Sequence, residues 1–286
     1  MQEFHYEIHW PVTASRPGHH RGRRSGSGFE FHSHAPLLEH PDPRRIDLNA
    51  SLRDPFGRWI VRVFRQRSAI AVYVLADVSA SMGFIGVRRK LDVAADFAAA
   101  AAYSAYRTGD AFGFRACEAT VRTDMWLSLT RVKGAGNLVG SWLHRFNPSG
   151  DSAAGMLQAA RTLGRSRALV FLVSDFHWPI ELLQTLLDAL STHHVVPVVL
   201  WDRNEFPAGT DFGIGTLSDS ETGRTRTLFF RPSLQRRIAR TFVERQDRLQ
   251  GIFLTHNLQP LMLLDGFKAD RVTQYFLDPR APATLA

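Results

Sequence analysis

The stretch from Ile70 to Met82 constrains this chain more than any other. An apolar, β-branched run, Ile70-Ala71-Val72-Tyr73-Val74-Leu75-Ala76, ends in Asp77 and then in hydroxyls at alternate positions, Ser79 and Ser81. Such a run suits a central parallel strand covered on both faces. Its break falls where open α/β sheets bind ligands, beyond the carboxyl ends of the strands. Carboxylate and hydroxyl oxygens on a tight loop are hard donors, and Mg²⁺ takes such oxygens at roughly 2.0–2.1 Å in near-octahedral order. No thiolate or imidazole accompanies them, so zinc fits less well. The expectation is metal-dependent binding, with further ligands supplied by other loops at the same sheet edge.

Asp77, Ser79 and Ser81 form the pattern Asp-x-Ser-x-Ser at a strand end, and in this the chain resembles the von Willebrand factor A-type domains with their metal-ion-dependent adhesion site. The resemblance implies a Thr ligand from a later loop and an Asp at the end of a further strand, reaching the metal through water. The later strand is Arg167 to Asp175, apolar and ending in Ser174-Asp175. In place of the Thr turn stands Pro148-Ser149-Gly150-Asp151-Ser152, with Asp151 in the Thr slot. A second bound carboxylate at Asp151 would cancel more of the metal charge, whereas Ser152 would leave the ion more electrophilic. Both residue types also cap helices, so either side chain serves as a cap or as a ligand.

Upstream lie Asp42-Pro43-Arg44-Arg45-Ile46-Asp47-Leu48 and Trp59-Ile60-Val61-Arg62-Val63-Phe64. This order is similar to that of bacterial von Willebrand A-like proteins encoded beside MoxR-type AAA+ ATPases, including the MxaS-like proteins of methanol-oxidation gene clusters. That pattern reads Arg-x-Ile-Asp-Trp, and here Leu48 holds the Trp position. The resemblance implies a partner of a MoxR-type ATPase, acting chaperone-like in maturation or metal loading of a client complex.

Charge and composition bound the remaining classes. Between Ser15 and Ser68 eleven Arg face five acids, so this segment supplies +6 of the chain's +8. The cluster Arg21 to Gly28 is rich in Gly and Ser, which reads as a solvated flexible loop. No nucleic-acid module or stacking-aromatic pattern accompanies the charge, so a nucleic-acid partner is not expected. His32 and His34, two apart on a possible strand, would share a face, but no acid or Cys spacing completes a transition-metal site. The single Cys117 excludes an intrachain disulfide and suits a reducing compartment, as a small buried hydrophobe. With no signal-peptide pattern at Met1 to Trp10 and no apolar run long enough for a membrane helix, cytoplasmic residence is expected.

Alternating elements predict an α/β fold, a doubly wound and mostly parallel sheet of von Willebrand A or Rossmann-like type, with a β-rich N-terminal appendage over residues 1–67 and the metal-binding domain with its C-terminal extension over 68–286. Helical spacing runs from Val87 to Thr108, near Leu138 to Phe146, after Ser152, from Ile180 to Thr192 and from Pro232 to about Leu254. Strands are expected at Ala111 to Cys117, Thr120 to Leu129, Val195 to Trp201, Thr225 to Phe230 (after a turn at Glu221-Thr222-Gly223) and Leu261 to Leu264. Pro197 argues for an edge position of its strand. The mixed charges of the long helix, including Arg240 and Arg245, read as a solvated face.

Catalytic motifs fit poorly. Gly134 to Gly140 lacks the Gly-Lys-Ser/Thr ending of a phosphate loop. A haloacid-dehalogenase-type phosphatase needs a second Asp where Ser79 stands, and no nucleophile elbow or assignable His supports a serine hydrolase. The sequence therefore reads as a non-enzymatic binding module. Together with the resemblance, the expectation is Mg²⁺ or Mn²⁺ held by Ser79 and Ser81 directly, with Asp77 and Asp175 mostly through water and Asp151 or Ser152 completing the shell. An open position would accept a Glu or Asp from a protein partner. A metal-dependent phosphohydrolase and a metal-free structural scaffold remain as alternatives.

Overall fold

The apolar runs become strands of one six-stranded sheet ordered β11-β8-β7-β4-β5-β6. Its members are β4 (Ala71–Asp77), β5 (Ala111–Cys117), β6 (Val121–Thr130), β7 (Leu169–Ser174), β8 (His194–Trp201) and β11 (Leu261–Leu264). All neighbours pair in parallel except β5 with β6. The computed structural model describes residues 2–8, 10, 17–26, 30–202, 205, 213–218, 225–230, 232–264 and 266–277, with side chains left out at 17, 18, 21–26, 30, 65–67, 213–218, 225–230 and 232–239. Two units result: residues 1–6, 71–107 and 111–286 form one, and residues 7–70 with 108–110 form the other.

In the first unit both sheet faces are covered, which is why β4 and β7 are apolar without alternation up to their last residues, and β5 departs from this only at the buried Arg115. On one face α2 (Lys90–Thr108), α3 (Ala135–Arg145) and α7 (Ala269–Leu277) contribute the ring contacts Phe97–Phe171, Phe114–Trp142 and Phe171–Phe276. On the other, α4 (Gly155–Arg161), α5 (Ile180–Ala189) and α6 (Pro232–Thr255) pack Met156, Leu186 and Phe253 against Leu75, Leu172 and Trp201. The Ala-rich face of α2 permits close helix packing: a Cβ on Gly136 of α3 would lie 2.7 Å from the Ala99 carbonyl oxygen. Arg89, just ahead of α2, donates to the carbonyls of Leu143, His144 and Phe146 at the C-terminal end of α3, where a cation also complements the helix dipole. A two-stranded antiparallel ribbon, β9 (Gly213–Ser218) with β10 (Thr225–Phe230), completes the strands of this unit.

The second unit is a three-stranded antiparallel sheet, with β3 (Ile60–Ser68) between β1 (Pro17–Gly26) and β2 (Glu30–Pro36). Asp47 explains why the upstream motif needs an acid. Its Oδ1 accepts from Ala50 N at 3.1 Å and so caps α1 (Leu48–Leu52), while Oδ2 takes Arg62 Nε at 2.8 Å and His34 Nε2 at 3.2 Å. Those bonds, Arg62 first, hold its carboxyl far below the usual carboxylate range. Asp110 closes the unit: Oδ1 accepts from Ile70 N at 2.8 Å, and Oδ2 meets Thr108 Oγ1 and His20 Nε2, each at 2.8 Å.

Several expectations change. Residues 17–26 form β1 rather than a flexible loop, because β3 offers an antiparallel ladder to them. Pro197 does not mark an edge, since β8 lies between β7 and β11. The short β11 begins opposite Val198, so on that side the ladder asks for no N–H at 197. The helix expected from Val87 begins at Lys90, because the preceding residues form a rim loop in which Ile85 and Arg89 make an antiparallel bridge and the Val87 N–H goes to the Asp202 carboxylate at 2.8 Å. The helix α7 carried no expectation. The turn at Glu221-Thr222-Gly223 lies outside the described residues. Cys117 is buried on β5, and burial with the nearby Asp77 charge pushes its thiol well up.

Candidate metal centre

The strand order reverses at β4, whose neighbours β5 and β7 lead away in opposite directions, so a crevice opens beyond the carboxyl ends of β4 and β7. Asp77 ends β4, and Ser174-Asp175 ends β7 and begins the next loop. Asp77 Oδ1 accepts from Ser79 N at 2.9 Å and its Oδ2 from Ser174 Oγ at 2.6 Å, which folds the Ser loop back and joins the two strand ends. Ser174 Oγ in turn accepts from Phe176 N and Trp178 Nε1, both at 2.8 Å. Phe176 holds φ at +55°, a left-handed conformation rare for a bulky residue. Its carbonyl and that of Trp178 accept from Arg245 Nη2 of α6 at 2.5 and 2.7 Å, and Trp201 Nε1 donates to the Asp175 carbonyl at 2.9 Å. Arg245 thus turns to the loop rather than to solvent.

Four of the expected ligands meet. Ser79 Oγ lies 3.3 Å from Ser81 Oγ, and Ser81 Oγ donates to Asp175 Oδ1 at 3.2 Å. Adjacent ligands of an octahedral ion with bonds near 2.1 Å stand about 3.0 Å apart, so these oxygens are spaced as neighbours in one such shell. All four side chains are at least nine-tenths buried.

Asp151 and Ser152 do not join this group. The turn that bears them is near, for the Gly150 carbonyl accepts from Ala80 N at 2.7 Å. Asp151 is exposed, however, and Ser152 Oγ accepts from Ala154 N at 3.2 Å, a bond of the capping kind just before α4. His34 meets Asp47 instead of pinching a metal with His32.

Three residues at the site went unread in the sequence. Lys90 Nζ donates to Asp175 Oδ2 at 2.7 Å and to Glu205 Oε1 at 2.5 Å. His177 Nδ1 stands 3.5 Å from Asp175 Oδ2 and 3.3 Å from Glu205 Oε1. One signal was available for Lys90: a cation opening a helix opposes the macrodipole and calls for a local acid. Burial and the Asp175 charge push Asp77 up to about 6. Burial alone would raise Asp175 as well, but His177 and the Lys90 ammonium outweigh it and hold that carboxyl down at about 2. Burial also raises Glu205. The donor set thus fits a divalent ion in oxygen chemistry and spacing.

Among solved structures the chain is similar to BatB from Bacteroides thetaiotaomicron, 12% identical over 73% of this chain and 98% of that one with a TM-score of 0.45. It is also similar to a von Willebrand factor type A protein from Catenulispora acidiphila, 16% identical over 48% of this chain and 34% of that one with a TM-score of 0.35. Over 102 residues it is 36% identical to the "Uncharacterized protein in moxR 3'region" of Paracoccus denitrificans, covering 36% of this chain and 97% of that protein. Among the described residues no helix is long and apolar enough to cross a membrane. Residues 41–248 match the family model described as "Protein of unknown function DUF58", and the chain belongs to that family.

Proposed function

We propose that this chain is a non-catalytic protein-binding module in which Asp77, Ser79, Ser81 and Asp175 hold Mg²⁺ or Mn²⁺ and present it to a Glu or Asp of another protein. The carrying observation is the spacing of Ser79 Oγ, Ser81 Oγ and Asp175 Oδ1, buried side by side at the switch point of the sheet. When bound, the ion supplies a localised positive charge. Asp77 keeps the Ser loop folded onto it, and Asp175 receives the Ser81 hydroxyl. A partner's carboxylate would take the position that the protein leaves open.

The partner in this reading is a MoxR-type AAA+ ATPase, with the pair acting in maturation or metal loading of a client complex in the cytoplasm. The Paracoccus relative supports it, since its name sets it in the moxR 3' region. The test is calorimetric titration with MgCl₂ and MnCl₂ of the wild type and of Ser79→Ala. Binding heat in the wild type that disappears in the variant is expected, and equal heats in both would remove the metal. Affinity capture should then recover the ATPase with Mg²⁺ present and lose it with a chelator. A metal-free scaffold is the second reading, favoured by the Lys90 ammonium that already neutralises part of the acid cluster. It predicts no heat in either protein.

A further inference from the structure

Lys90 sits where its chemistry has a cost. It opens α2, the end of a helix where the macrodipole disfavours a cation, and it is only 2% exposed. A buried ammonium needs acids, and it has two: Asp175 Oδ2 at 2.7 Å and Glu205 Oε1 at 2.5 Å, with the Phe84 ring centroid 5.5 Å away. Asp175 is thereby divided, its Oδ1 turned to Ser81 in the oxygen shell and its Oδ2 given to the ammonium.

We propose that Lys90 is a tethered counter-cation that competes with the divalent ion for Asp175 and so sets the affinity and selectivity of the site. The inference rests on the metal reading above and deepens it. The ammonium and the ion share one carboxylate in a buried setting, where like charges repel more strongly than in water. It also withholds Asp175 Oδ2 and Glu205 from the ion, which then has, besides Asp77, a single Asp175 oxygen and the two hydroxyls. The result is a weak, exchangeable ion with charge left over for a partner's carboxylate. Without the ammonium, Asp175 and Glu205 would serve the ion instead, and His177 Nδ1 lies within reach of both. That donor set admits the softer Mn²⁺ and Zn²⁺ as well as Mg²⁺.

The experiment titrates the wild type, Lys90→Met, Glu205→Gln and Ser79→Ala with MgCl₂, MnCl₂ and ZnCl₂ by calorimetry, and melts each protein in chelator and in saturating cation. Lys90→Met should bind at least about tenfold tighter than the wild type, with the larger gain for Mn²⁺ and Zn²⁺. It should melt lower in chelator and gain more from the cation than the wild type does. Glu205→Gln keeps the ammonium but removes an acid, so it should bind more weakly than the wild type. Lys90→Met with unchanged or weaker binding, while Ser79→Ala abolishes the heat, overturns this inference and leaves the metal reading standing. No heat in the wild type and in Lys90→Met alike overturns both. Heat that survives Ser79→Ala yet tightens in Lys90→Met keeps the role of Lys90 and removes the oxygen shell proposed above. Should Lys90→Met fail to fold, unchanged or tighter binding by Glu205→Gln overturns the inference.

Discussion

At the scale of single residues the site is held by a few buried hydrogen bonds, and their loss has calculable consequences. Ser174 Oγ serves Asp77 Oδ2, Phe176 N and Trp178 Nε1 at once. Ser174→Ala should therefore cost about 2–5 kcal/mol in chemical denaturation, because it leaves three buried polar groups without that partner. Asp77 makes stability depend on pH in the metal-free protein. Its carboxyl sits at about 6 against an ordinary 3.8, so across that window the folded chain keeps a proton that the unfolded chain has lost. Stability then falls as pH rises through the window. Asp77→Asn cannot titrate, so in chelator its melting temperature should gain on that of the wild type from pH 4 to pH 6. A gap that stays constant would remove this account. Asp77, Ser79, Ser81 and Asp175 were legible because each stands at or just beyond the end of an apolar strand. His177 and Glu205 were not, because nothing local to them marks a shared neighbour, and the place of Lys90 at a helix start called for an acid without saying which.

At the scale of elements, close approach decides which glycines matter. Gly136 of α3 lies against the backbone of α2, with only 2.7 Å between its missing Cβ and the Ala99 carbonyl oxygen. Gly136→Val should lower the unfolding free energy by about 1–3 kcal/mol without abolishing cation binding, as denaturation and calorimetry on the same variant would show. Period and composition located most of the strands and helices, since a strand covered on both faces must be apolar throughout and a surface helix must carry one apolar stripe. The position of β8 was illegible from Pro197, because whether a proline is tolerated depends on where the neighbouring strand begins, and β11 is distant in sequence. The short α7 escaped notice for want of a strong start signal.

At the scale of the whole molecule the chain crosses between its units more than once. Residues 1–6 belong with 71–107 and 111–286, whereas 108–110 belong with 7–70. The residue that secures that return is Asp110, fully buried, with Ile70 N, Thr108 Oγ1 and His20 Nε2 around its carboxylate. Asp110→Ala should cost about 2–4 kcal/mol and raise hydrogen exchange at the Ile70 amide, a readout confined to the smaller unit. Unchanged protection there would remove Asp110 from its closing role.

What the amino-acid sequence determined by itself is local: which runs are buried on both faces, where they break, and which oxygen-bearing side chains stand at the breaks. Burial and period act over a few residues, so a single chain displays them. What only the tertiary structure decided is who meets whom. Lys90 reaches Asp175 across 85 positions of sequence and Glu205 across 115. That meeting depends on β4 lying beside β7 and on α2 starting at Lys90 rather than three residues earlier, and no propensity within either segment encodes it.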